Sequence, residues 1–250
     1  MKKLIKIYGE RNTNTNYISK LISLNLDVQE APGVAPRWVL RLQNKLPGDE
    51  LVRDIYFRLA YKNTLGWKHT RVKPAADLKK YRIVNNNLSF VTITKNPYSW
   101  LLSLYRRPYH QYYSGKPSFE DFLQTPWKTI ARDNIQKPVN NPMEMWNLKN
   151  ASYLHLPREF SALNITTESI FVNPADVVDL ISSKLSIEKS SAEFIDYEKS
   201  TKDKSKDTYY YRDYYLNEKW KTQLSSEAIA IINDSIDKNL MAHFGYTVLG

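Results

Sequence analysis

The sequence predicts an α/β protein built on a central parallel sheet, and three observations support this. Leu4, Ile5 and Ile7 form an apolar run of strand length that breaks at Gly9, after which Ile18, Leu21 and Ile22 share one helical face. Leu88 to Thr94 alternates, is β-branched, and passes through Lys95-Asn96-Pro97 into a face of Trp100, Leu101, Leu104 and Tyr105. Two such strand–loop–helix passages in 250 residues suit one α/β domain, 1–250, and no linker divides it.

The first corner, Gly9-Glu10-Arg11-Asn12-Thr13-Asn14-Thr15-Asn16, is the stretch the chain is organised around. A strand feeding a tight turn and then a helix presents backbone N–H groups and a helix N-terminus to an anion. Arg11 adds a permanent charge, and Thr13 and Thr15 add hydroxyl donors. Two readings stay open on this stretch: a phosphate-binding loop, or a plain corner rich in N-cap residues. A triphosphatase loop would end Gly-Lys-Ser/Thr, and Asn14-Thr15-Asn16 stands in that place.

Beyond it, residues 25–36 read as a polar loop running to Arg37-Trp38-Val39-Leu40. A helix is expected from about Asp49 to Lys62, with Leu51, Ile55 and Leu59 as its buried face. Gly66-Trp67-Lys68-His69 is a short aromatic piece ending in a cation and an imidazole; His69 is either a structural hydrogen-bonder or a base. The second corner again puts a cation, Lys95, at a strand's C-terminal end, where parallel sheets bind ligands. Pro97 suits the first turn of its helix.

Residues 106–146 form an aromatic, basic, Pro-broken insert with one short helix at 118–123, either a substrate wall or a surface excursion. Ile165 to Val172 reads as a further strand, and Pro174 opens a helix running to Leu185. The apolar-free run 199–207 reads as a solvated, mobile loop before the Tyr-rich 209–215. A last helix is expected over 226–244, burying Ile232, Ile236, Leu240 and Phe244.

Composition narrows the chemistry. Net charge is +10 with a pI near 9.4, favouring anionic partners such as nucleotides, acidic sugars, nucleic acid or a membrane surface. The absence of Cys excludes disulfides, thiol nucleophiles and Cys-based metal sites. The apolar run of Met1-Lys2-Lys3-Leu4-Ile5-Lys6 is too short for a signal peptide, so a soluble cytoplasmic protein is the expectation.

Together these pieces resemble the sulfotransferases that use 3′-phosphoadenosine 5′-phosphosulfate (PAPS). Gly9 to Thr15 is similar to the family's 5′-phosphosulfate loop, with Thr13-Asn14 where an internal Gly is usual. Lys95-Asn96-Pro97 followed by Ser103 is similar to its 3′-phosphate motif, with Lys in place of the commoner Arg. Gly66 to His69 stands where many members hold the acceptor base. Trp146-Asn147, Glu168 to Pro174 and Phe244-Gly245-Tyr246 extend the match.

The resemblance implies a three-layer α/β/α fold of P-loop NTPase-like topology around a phosphate-binding strand–loop–helix. It implies PAPS as co-substrate, 3′-phosphoadenosine 5′-phosphate (PAP) as product, and no required metal. Sulfuryl transfer would go in line to a hydroxyl or amine of a carbohydrate, lipid or small molecule. Arg11 and the backbone of Asn12 to Thr15 would hold the 5′-phosphate, and Thr15 and Asn16 would cap the helix and donate to the same group. Lys95 and Ser103 would bind the 3′-phosphate. His69 would be the base and Lys68 its electrostatic partner; Glu10 is either a competing base or the group that positions Arg11. The 199–207 loop would close over the nucleotide.

Two other readings stand beside this one. A P-loop kinase would require the missing Gly-Lys-Ser/Thr ending. A nucleic-acid binder would use the net charge with Arg106, Arg107, Tyr105, Tyr109, Tyr112 and Tyr113, although no recognised module is present. Oligomeric state is not encoded legibly.

Overall fold

Leu4, Ile5 and Ile7 do form a strand, β1 (Lys3–Gly9), and the corner after it opens α1 (Thr15–Asn25). The computed structural model describes residues 2–46, 50–111, 113, 115–136, 138–197 and 207–250. A short edge strand, β2 (Val28–Glu30), lies inside the stretch expected to be loop; three residues carry no alternation to betray it. Then come α2 (Arg37–Gln43), α3 (Leu51–Leu59), α4 (Tyr61–Thr64) and α5 (Ala75–Leu78). The central strand β3 (Leu88–Thr94) is followed by α6 (Pro97–Arg106), α7 (Phe119–Gln124), α8 (Pro142–Ala151) and α9 (Leu156–Glu159). The last strand is β4 (Ala162–Thr166), and α10 (Thr167–Val172), α11 (Pro174–Leu185), α12 (Thr208–Leu216), α13 (Ser226–Ser235) and α14 (Lys238–His243) complete the chain.

The four strands pair in parallel in the order β2-β1-β3-β4. Leu4 faces Leu88 and Gly9 faces Ile93, so the two corners leave the sheet side by side at its C-terminal edge. One face packs Ile5, Ile7, Val91, Ile93 and Ile165 under Ile18, Leu21 and Ile22 of α1 and Val177, Val178 and Ile181 of α11. The opposite face carries Tyr8 and Phe90, covered by Leu65, Leu78, Tyr153 and Leu156. Helices on both faces of a parallel sheet give the three-layer α/β/α architecture.

A third cluster joins α6 to α7, α8, α13 and α14 through Trp100, Phe122, Trp127, Trp146, Ile232 and Met241. The 106–146 stretch therefore contributes to the core through Phe122, Leu123 and Trp127, while residues such as Arg106, Arg107 and Lys116 are exposed. None of the helices among the described residues is long and apolar enough to cross a membrane.

Four sequence expectations change. The strand expected over 165–172 stops at Thr166, where Thr166 and Ser169 exchange side-chain-to-backbone bonds and start α10. The single closing helix is two: Ile236 is extended and Asp237 caps α14 through the Leu240 N–H. The helix at 49–62 begins at Leu51, and it buries Phe57 while Leu51, Ile55 and Leu59 point outward. Of the 199–207 run only Asp207 lies within the described residues, and it caps α12.

Trp100 ties the third cluster to the first corner, since its buried indole N–H donates to the Arg11 carbonyl at 2.8 Å. Trp100→Phe keeps most of the apolar volume but leaves that carbonyl without its donor, which should cost about 1–3 kcal/mol in urea unfolding. An unchanged unfolding midpoint would contradict the anchoring.

Candidate functional site

The first corner is a tight turn that two asparagines make possible. Asn12 and Asn14 both adopt left-handed backbone, with φ 67° and 62°, a region Asn tolerates better than most residues. They supply the conformation expected of the missing internal Gly. Gly9 itself is fixed by space: a Cβ there would lie 2.7 Å from Thr13 Oγ1 and 3.0 Å from the Ile93 carbonyl. Thr13 closes the turn by donating its N–H and hydroxyl to the Glu10 carbonyl, and Thr167 donates to the Thr13 carbonyl.

The N-cap of α1 is Asn14, not Thr15 or Asn16 as expected. Its side chain makes no cap bond, and no acidic residue lies in the first turn. The Asn14 Nδ2 is buried without an acceptor among the described residues. An eleven-residue helix thus starts with its positive end and a spare amide donor unanswered by side chains, a good fit to a phosphate group.

Beside this cradle the second corner forms a separate cationic point. Lys95 Nζ donates to Ser103 Oγ at 3.0 Å and to the Tyr215 hydroxyl at 2.8 Å. The eight-residue spacing brings cation and hydroxyl together because Lys95 directly follows β3 while Ser103 sits in the second half of α6. Burial pushes the Lys95 ammonium down to about 7, with nearby Glu168 opposing the shift. Trp146 fixes the strand end by donating to the Lys95 carbonyl at 3.0 Å.

The aromatic turn lies against the first corner. The Gly9 N–H donates to the Lys68 carbonyl at 2.9 Å, and His69 Nδ1 lies 2.5 Å from the Gly9 carbonyl. A carbonyl can only accept, so Nδ1 carries the proton and Nε2 is left as the basic nitrogen. Burial, then Lys68 and Arg11, hold the imidazole well below its ordinary 6.5. Lys68 reaches Asn16 Oδ1 on α1, and burial lowers its pKa too. Lys6, missed by pattern reading, locks this turn from below: it is fully buried and donates to the carbonyls of Pro32 and Gly66.

Glu10 and Arg11 are placed apart from the anion cradle. The Glu10 carboxylate accepts from the Arg11 N–H at 2.6 Å and pairs with Lys149. Lys149, fully buried on α8, also bonds Asp133 Oδ1 and the His69 carbonyl, both at 2.7 Å. The Arg11 guanidinium lies 3.5 Å from Glu10 and 3.8 Å from Asp133, over the rings of Trp67 and Tyr109. Burial alone would raise Asp133, but Lys149 and Arg11 outweigh it and hold the carboxyl below its usual range. The two Glu10 oxygens thus face buried cations, Arg11 and Lys149. Neither Lys149 nor Asp133 had a legible signal, since each sits in an irregular or mixed stretch with no pattern to single it out.

No family model matches the chain, and no curated protein matches it. Among solved structures it is similar to a sulfotransferase domain from the curacin biosynthetic pathway, with 11% identity and a TM-score of 0.49 over 100% of this chain and 99% of that one. It is also similar to a sulfotransferase from Alicyclobacillus acidocaldarius, with 13% identity and a TM-score of 0.44 over 99% and 97% of the two chains.

Lys149→Met would leave Glu10 and Asp133 buried, adjacent and without their shared ammonium. Urea unfolding at neutral pH should show a loss of about 3–5 kcal/mol, the usual cost of stranding buried charge. Neutralising both acids as well (Glu10→Gln, Asp133→Asn) should recover part of it. Equal stability of Lys149→Met and the parent would mean that the cluster is not held as an ion network.

Proposed function

We propose that this chain is a PAPS-dependent sulfotransferase acting on a hydroxyl. The observation that carries the reading is a pair of anion sites at the ends of two neighbouring strands: the open N-terminus of α1 after β1, and Lys95 with Ser103 after β3. A nucleotide with phosphate at both its 5′ and 3′ positions asks for two such sites.

PAPS, when bound, supplies an activated sulfuryl group whose leaving group is a phosphate. The chain's part is to hold that phosphate, stabilise charge and remove one proton. The N–H groups opening α1 and the Asn14 amide hold the 5′-phosphate. Lys68, tethered to Asn16 at the same helix start, is a cation at this cradle and takes the role the sequence suggested for Arg11. Arg11 keeps the loop in shape through Glu10 and Asp133. Lys95 and Ser103 take the 3′-phosphate. His69, neutral and with Nε2 unprotonated, accepts the proton of the attacking hydroxyl. Both Glu10 oxygens face cations, which favours His69 over Glu10 as the base.

Calorimetric titration with PAP, with 5′-AMP as control, tests the reading. PAP should bind much more tightly than 5′-AMP, and Lys95→Ala and Ser103→Ala should erase most of the difference. Equal binding of the two nucleotides would sink the proposal. His69→Ala should leave PAP affinity intact and lower turnover by about 10²–10⁴-fold once an acceptor is in hand.

The pH dependence has a defined sign. Lys95 titrates at about 7 in the free protein, and an anion favours its protonated form. PAP affinity should therefore fall by up to about tenfold per pH unit above that value, with proton uptake on binding. In Lys95→Ala this slope should disappear. A wild-type affinity that rises with pH in this range would contradict the assignment.

A further inference from the structure

Of the sixteen exposed large apolar side chains among the described residues, eight fall between Val34 and Leu59. Trp38 is 61% exposed and Leu46 49%; on α3, Leu51 is 57% and Leu59 70%. Leu42 and Ile55 complete two outward stripes at helical spacing, 38–42–46 and 51–55–59. The α2–α3 pair is joined by an edge-to-face contact of Trp38 with Tyr56.

The amphipathicity of α3 is inverted. Its acidic groups are turned inward: Asp54 bonds Arg132 at 2.7 Å and the Ala131 N–H at 3.0 Å, and Glu50 pairs with Arg132, whose side chain is nearly buried. A surface helix of a globular protein normally hides its apolar stripe and shows its charges. Here the ion pairs hold the helix so that the apolar stripe must stay out.

Among the described residues, the remaining charge on this face has one sign. Arg37, Arg41, Lys45, Arg58 and Lys62 are exposed, and none forms an ion pair among the described residues. Glu50 and Asp54, the described acids of the segment, are occupied by Arg53 and Arg132. Cores of protein–protein interfaces are depleted in Lys and charge, whereas a helix lying on anionic lipid interleaves Lys and Arg with Trp and Leu. A cavity of about 300 Å³ opens beside the same face, between Ile55, Arg58, Tyr61 and Trp67.

We infer that the α2–α3 face docks on the surface of an anionic lipid bilayer, with Trp38 and the two leucine-rich stripes entering the headgroup boundary and the five cations meeting lipid phosphates. The inference stands on this face alone. Its link to catalysis, an amphiphilic acceptor passing from the bilayer into the cavity behind Trp67, rests on the sulfotransferase reading.

The test is co-sedimentation of the full chain with vesicles of phosphatidylcholine alone or with about 30% phosphatidylserine, with oligomeric state followed by light scattering. The anionic vesicles should bind about tenfold more protein, and added salt should weaken the binding. Trp38→Glu with Leu59→Glu, both at exposed positions, should reduce binding about tenfold, as should Arg41→Glu with Lys45→Glu. PAP titration of the same variants should match the parent, which separates failure of this inference from failure of the nucleotide reading. Wild-type protein that ignores the anionic vesicles, or binding that both variants leave unchanged, would overturn it. So would a dimer that Trp38→Glu with Leu59→Glu dissociates in the absence of lipid binding.

Discussion

The buried ammonium of Lys149 is the interaction on which the rest of the site depends. An ammonium taken wholly out of water is tolerable only when its donors are answered. Lys149 finds Glu10 from the first corner, Asp133 from the 106–146 stretch and the carbonyl of His69. Four segments remote in sequence are thereby held at one point. Arg11 adds a second cation to the same two acids and is sandwiched by aromatic rings. The loop that presents its N–H groups outward is fixed from within by charge that never reaches the surface.

This division of labour shapes the electrostatics of the two corners. Glu10 and Asp133 are matched by Lys149 and Arg11, whereas Glu168, near Lys95, is bonded by the Asn96 N–H and the Tyr246 hydroxyl. Lys95 and Lys68, by contrast, are buried without a carboxylate in contact, and both lie below their ordinary pKa. Two cations are paired for structure and two are kept available. The distinction rests on where the carboxylates point and not on how many Lys and Arg the chain contains.

The sheet and both corners were legible because they rest on local signals: an apolar run ended by Gly9, and an alternating strand ended by Lys95-Asn96-Pro97. The meeting of Lys95 with Ser103 was legible only through the family resemblance, whose motif carries the eight-residue spacing; the structure brings the two within 3.0 Å. What sequence could not reveal was long-range. Lys149 and Asp133 acquire their meaning only from partners across the fold. The apolar repeat of Leu51, Ile55 and Leu59 named a helix correctly but its buried side wrongly. Periodicity reports that a stripe exists, whereas ion pairs to Arg132 decide which way it faces. Asn14 misled in a smaller way, because a residue in left-handed conformation can replace the expected Gly and also cap the helix.

The parallel order of the strands has a consequence for how the chain is made. Leu4 pairs with Gln29 of β2 and with Leu88 of β3, and Glu10 meets its ammonium at Lys149. A ribosome adding about 5–20 residues per second reaches position 149 after some tens of seconds at the slower rate. Before that point β2 and β3, the strands that flank β1, have already been made, while Glu10 still lacks its ammonium. The first corner is therefore completed late: its strand can pair early, but its buried charge is matched only once α8 has been added.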